Sequence, residues 1–63
     1  MQNQIRSRRK ELGLSQEELA NRCGVTRQTI HAIENNKYDP TLWLAFNLAR
    51  ELKVTVDELF SPS

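Results

Sequence analysis

Apolar residues recur along the chain at three- and four-residue spacings rather than in strict alternation, which is the pattern of helices that each bury one face. They fall at Ile5 and Leu12, at Leu19 and Cys23, at Ile30 and Ile33, at Ala45, Leu48, Ala49 and Leu52, and at Val56, Leu59 and Phe60. Residues that start and stop helices stand between them. Asn3, Ser15, Thr26, Thr41 and Thr55 can each accept a free backbone N–H at a helix start, and Ser15-x-x-Glu18 and Thr55-x-x-Glu58 have the spacing of capping boxes. Gly13 and Gly24 allow the left-handed backbone that closes a helix. The pattern predicts five helices, at about residues 4–12, 16–23, 27–35, 42–52 and 56–60, and no strand. An all-α fold in one domain over residues 1–63 follows, with Ser61, Pro62 and Ser63 as a frayed tail.

The second and third of these helices have the residues of a helix-turn-helix. Two short helices crossing at about 90 to 120° need a small residue where they touch, which Ala20 supplies, and a sharp turn, which Gly24 supplies. Leu19, Cys23, Val25, Ile30 and Ile33 fill the wedge between them. At 100° per residue, Arg27, Gln28, His31, Ala32 and Asn35 share one arc of the third helix of about 140°. Thr26, Thr29, Ile30, Ile33 and Glu34 share the opposite arc, which is predicted to face the core. The polar arc is then what a DNA major groove would meet. Arg27 can donate to O6 and N7 of guanine, and Gln28 can pair with N6 and N7 of adenine. Ala32 suits a thymine methyl, while His31 and Asn35 can reach a base or a phosphate. The competing reading of these residues is a solvated polar face. Phosphate anchors are expected from Gln16 and Thr26 at helix starts and from Asn36, Lys37 and Tyr38 after the third helix. Alternatively Tyr38 packs under the loop and Lys37 is simply solvated.

A net charge of +1 is low for a protein that binds nucleic acid, but the charge is unevenly placed. Residues 1–37 hold seven Lys or Arg against four acids, whereas residues 38–63 hold two against four. The basic half contains the motif, so one side can face phosphates while the other is turned away. The single Cys23 lies on the buried arc and reads as a small core side chain rather than a redox sensor. The longest apolar run, Leu42 to Phe46, is far short of the roughly 20 residues that span a bilayer, and the amino terminus has no signal-peptide pattern. A cytoplasmic protein with no membrane contact is expected. One His, one Cys and two isolated glycines give no metal cluster, phosphate loop or catalytic triad, so neither an enzyme nor a bound cofactor is expected.

The stretch from Ile5 to Phe60 resembles the Xre/Cro family of lambda-repressor-like DNA-binding domains. The resemblance is carried by Arg9, Gly13-Leu14-Ser15-Gln16-x-x-Leu19-Ala20, Gly24-Val25-Thr26, Ile30-x-x-Ile33-Glu34-Asn35, Tyr38-x-Pro40 and Leu52-x-Val54-x-Val56-x-Glu58-Leu59-Phe60. Asn36 and Lys53 stand where the family usually has Gly. The resemblance implies a compact five-helix domain, base contacts from the first turn of the third helix, and phosphate contacts at the positions named above. It also implies an ion pair between Arg9 and Glu34 that ties the first helix to the third. Val56 and Phe60, on an exposed face of the last helix, would make a homodimer, with Asp39 near the seam. Two recognition helices would then stand one DNA turn apart on a palindromic operator. Trp43 is left open between an interface anchor and half-buried core. A homodimeric repressor leads; an antitoxin, or a protein-interaction module or activator using Glu17 and Glu18, is the alternative.

Overall fold

The hydroxyls of Ser15, Thr26, Thr41 and Thr55 accept the backbone N–H three residues on, at 3.0, 3.2, 3.2 and 3.1 Å. These are four of the five helix starts in the computed structural model, which describes residues 1–61. The helices are α1 (Ile5–Glu11), α2 (Gln16–Cys23), α3 (Arg27–Glu34), α4 (Leu42–Leu52) and α5 (Val56–Leu59). Both capping boxes form. Ser15 N donates to Glu18 Oε1 at 2.9 Å and Thr55 N to Glu58 Oε1 at 2.8 Å, and with the reciprocal hydroxyl contacts they hold both carboxyls below their ordinary range. At α1 the capping position is occupied by Gln4, but Asn3 Oδ1 still accepts from Ile5 N at 3.1 Å.

The first four helix ends share one geometry. Gly13, Gly24, Asn36 and Lys53 all have positive φ, between 59° and 71°. In each case the next residue's N–H donates across the turn to a carbonyl five residues back: Leu14 to Arg9, Val25 to Ala20, Lys37 to Ala32 and Val54 to Ala49, at 2.9–3.0 Å. These are Schellman closures, which use carbonyls that a helix end would otherwise leave unpaired. Leu14, Val25 and Val54 then pack against the core.

Two short strands depart from the expected pattern. β1 (Gln2–Asn3) pairs antiparallel with β2 (Phe60–Ser61), Gln2 opposite Ser61 and Asn3 opposite Phe60. Phe60 therefore leaves α5 for an extended backbone, φ −119° and ψ 141°, and Ser61 is paired rather than frayed. Strands of two residues are too short to show an alternating pattern, and this pair is set by closure between the two ends of the chain. Gln4 N donates to Leu59 O at 2.8 Å beside it. The expectation for Pro62 and Ser63 lies outside the described residues.

The helices enclose one cluster in which Ile5, Leu19, Ile30, Ile33, Leu48, Leu52 and Leu59 are fully buried. Ala20 is buried where α2 meets α3. Leu12, expected in the core, is only half-buried against it. Cys23 is buried, and burial, with the Glu51 charge adding to it, pushes its thiol pKa up and keeps it protonated. Arg8 Nε donates to Leu52 O at 2.8 Å, binding α1 to the carbonyl end of α4.

Asn tolerates the left-handed region better than a long aliphatic chain does, so Lys53 carries more strain than Asn36. Lys53→Gly is expected to raise stability by about 1 kcal/mol, or about 4–8 °C in melting temperature for a domain of this size. Asn36→Gly should give less. Thermal denaturation followed by circular dichroism checks both, and a Lys53→Gly protein that melts no higher than wild type would refute the assignment of strain.

Candidate nucleic-acid interface

The first turn of α3 begins immediately after its cap, so Arg27 and Gln28 emerge from a backbone that Thr26 holds in place. Both side chains are exposed, and with His31 they line a shallow groove of about 210 Å³. Ala32 and Asn35 lie further along the same helix and are half-buried. The opposite face buries Ile30, Ile33 and Glu34, as the helical arc requires. Thr26 and Thr29 depart from that expectation, Thr26 being exposed and Thr29 half-buried. They stand at the end of α3 where the core stops, and their hydroxyls, 3.0 Å apart, are engaged in the cap.

Glu34 is the polar centre behind this face. Its side chain is out of contact with water, and Arg9 Nε donates to Oε2 at 2.8 Å while Arg9 Nη2 donates to Oε1 at 3.3 Å. Arg9 Nη1 also donates to Leu14 O at 2.9 Å, so one guanidinium joins α1 to α3 and to the loop before α2. Gln16 Nε2 donates to Glu34 Oε1 at 3.1 Å, bringing the start of α2 to the same carboxylate. Burial pushes the Glu34 pKa up, but the hydrogen bonds from Arg9, Gln16 and Arg6 and the Arg9 charge together hold it below the usual carboxylate value. The expected ion pair is thus present, and it has partners the sequence did not reveal.

Those partners reach the proposed DNA face. Gln16 Nε2 is 3.4 Å from His31 Nδ1, and Asn35 Nδ2 is 3.4 Å from His31 Nε2. A neutral imidazole has one acceptor nitrogen, so the ring takes a hydrogen from only one of these amides at a time. Asn35 Nδ2 also donates to His31 O at 2.8 Å, and Arg6 Nη2 donates to Asn35 Oδ1 at 3.1 Å. Gln16, His31 and Asn35 therefore form one network with the buried pair. Arg6 was missed as a member, although it stands one helical turn before Arg9 on α1.

Asn36, Lys37 and Tyr38 are all exposed just beyond α3. Asn36 Oδ1 accepts from Asn3 Nδ2 at 3.3 Å, and Asn3 Nδ2 also donates to Ile33 O at 2.9 Å, so the amino-terminal segment braces this turn. Asp39 is bonded to the Met1 ammonium at 3.2 Å. Val56 and Phe60 are half-buried rather than exposed, because both pack against the core and Phe60 is held in β2. The three most exposed large apolar side chains lie instead on α4, where Leu42, Trp43 and Phe46 are 70%, 63% and 59% exposed, which removes Trp43 from the core. Among the described residues no group of three His, Cys, Asp or Glu side chains could hold a metal, and no helix is long and apolar enough to cross a membrane.

Two crossed helices, the second with a polar face turned outward and its ends fixed, form the frame of a DNA-binding helix-turn-helix protein. Residues 5–59 match the Helix-turn-helix family, and the chain belongs to it. An HTH-type transcriptional regulator of Methanothermobacter thermautotrophicus is 54% identical over 61 residues, which cover 95% of this chain and 88% of that protein. Among solved structures, the restriction-modification controller protein C.AhdI from Aeromonas hydrophila is similar with a TM-score of 0.83 at 33% identity, covering 90% of this chain and 86% of that one. The P22 c2 repressor, solved with a synthetic operator, gives a TM-score of 0.83 at 30% identity over 86% of this chain and 82% of its own. The protein is a DNA-binding transcriptional regulator of the helix-turn-helix type.

Removing the Glu34 charge strands Arg9 in a buried site, a change that costs about 3–5 kcal/mol in comparable pairs. Glu34→Gln should therefore lower the melting temperature well before it alters sequence preference. Because the folded-state pKa of Glu34 is lowered, its contribution is complete above the unfolded value and is lost as pH falls through the folded one. The gap between wild type and Glu34→Gln should narrow on acidification below about pH 4, the ordinary carboxylate range. Melting curves at neutral and acid pH measure it, and a gap that is constant or absent would contradict a buried, charged pair.

Proposed function

We propose that this protein is a homodimeric repressor that acts in the cytoplasm as one DNA-binding domain, placing α3 in the major groove of each half of a palindromic operator. The observation that carries the reading is the groove side formed by Arg27, Gln28 and His31, exposed on a helix whose opposite face is locked into the core. An α-helix with its side chains is about 10–12 Å across, matching the roughly 12 Å width of a major groove. Arg27 and Gln28 read bases, Ala32 meets a base methyl, and His31 and Asn35 adjust the later contacts. Gln16, Thr26, Asn36, Lys37 and Tyr38 bind phosphates on either side. The likeness to the P22 c2 repressor supports a repressing role.

Dimerisation draws its support from the apolar surface between α4 and α5. Leu42, Ala45, Val56 and Phe60 line one hollow, Phe46, Ala49 and Val54 line another, and Val56 belongs to both. The interface is therefore wider than Asp39, Val56 and Phe60 alone, and its most exposed members come from α4. Covering it with a second copy would remove Leu42 and Phe46 from water.

A base contact and a phosphate contact fail differently. Arg27→Ala and Gln28→Ala should each cost about 1–3 kcal/mol on the preferred site and relax its sequence, whereas Lys37→Ala should weaken all duplexes alike. Selection from random DNA should return inverted repeats with half-site centres about 10–10.5 base pairs apart. Equal losses on preferred and random DNA for Arg27→Ala would reduce that residue to an anchor, and recovery of no motif would remove the operator reading.

Phe46→Asp places a charge on the proposed seam at a position the fold does not bury. Sedimentation at matched concentrations should show a monomer with weaker operator binding, while circular dichroism shows intact helices. A mutant that remains dimeric would move the interface off this face.

A further inference from the structure

The cations of α1 are directed to different places. Arg9 turns inward to Glu34 and Arg8 reaches the carbonyl end of α4, but Arg6 and Lys10, four residues apart, share the flank beside the carboxyl end of α3. They border a groove of about 380 Å³ with Asn3, Ser7 and Glu34. The charge at this point does not balance. Glu34 is a single carboxylate already bonded to Arg9, so Arg6, 3.4 Å from it and with its side chain 51% exposed, leaves a surplus positive charge at the surface. A contact that long and that exposed adds little to stability. What Arg6 does approach is Asn35, the last residue of the proposed DNA face, one position before Asn36.

That location has an electrostatic requirement. The carboxyl end of a helix carries partial negative charge, which repels a phosphate passing it. A backbone strand running past the end of α3 needs cations from outside that helix, and Lys37 in the following turn is a single one. α1 supplies two. We propose that Arg6 and Lys10 form a phosphate contact on the duplex backbone beside the carboxyl end of α3, outside the helix-turn-helix itself. This rests on the reading that α3 lies in the major groove. Arg6 would exchange its bonds to Asn35 and Glu34 for a phosphate, leaving Arg9 and Gln16 to hold the buried carboxylate.

The experiment is equilibrium binding of the wild type, Arg6→Gln, Lys10→Gln and the double variant to the selected operator and to a random duplex of equal length, across a salt series. Each lost contact should reduce the slope of log affinity against log salt by about 0.9 per protomer. Affinity should fall equally on both duplexes, with base preference unchanged and Arg6→Lys keeping the wild-type slope. A double variant with the wild-type slope overturns the proposal, and a lower affinity at unchanged slope with a lower melting temperature assigns Arg6 to bracing alone. If Arg6→Gln does not fold, Lys10→Gln gives the same reading on an exposed side chain. A wild type without salt-dependent duplex binding overturns the groove reading as well, which separates the two failures.

Discussion

A carboxylate removed from water must be met by donors, and Glu34 takes its donors from two elements besides its own. Arg9 comes from α1 and Gln16 from the start of α2, at 2.8 and 3.1 Å, while Arg6 adds only a longer contact from the outer flank of α1. The Arg9 and Gln16 bonds each also fix an element relative to α3. The angle at which α3 stands above the core is therefore set by a polar cluster as much as by Ala20 and the isoleucines. Apolar packing tolerates small rotations, whereas a two-pronged guanidinium contact does not, and the carboxylate converts a soft wedge into a defined one.

The repeated helix ending gives a second view of how the interface is made. At Gly13, Gly24 and Lys53 the residue after the left-handed position is Leu14, Val25 or Val54, and it returns the chain to the core. After α3 the same position is Lys37, whose charged ammonium stays in water, and it remains exposed. The backbone closure is identical in all four, so the difference lies in one side chain. It leaves the segment that follows the recognition helix on the outside of the molecule, where the proposed phosphate contacts stand.

Most of the fold was legible because it is determined locally. A hydroxyl three residues before a glutamate, a glycine just past the last turn of a helix and a helical spacing of isoleucines are all short-range signals, and the structure follows them at α2 and α4 without change of boundary. What was hidden is long-range. The β1–β2 pair joins residues at opposite ends of the sequence through two residues each, too few to leave a pattern. Likewise Glu34 reads as a helix residue at the edge of an arc, and only the folded chain brings Gln16 and Arg6 to it. The face expected to carry Val56 and Phe60 outward was misjudged because α5 is a single turn, too short for a wheel to separate its sides.

The cap at Thr26 and the left-handed closure at Asn36 have a consequence for how such a protein can change. Both ends of α3 are set by residues outside the outward arc, and its inner face is set by Ile30, Ile33 and Glu34. Whereas His31 and Asn35 are tied into the network around Glu34, the outward positions Arg27 and Gln28 are exposed and bear almost none of the folding free energy. They can be exchanged in combination while the frame stays where it is, much as type is reset in a fixed forme. A new DNA preference can then arise by mutation without first passing through an unstable protein, which in a domain this small would otherwise be the main barrier.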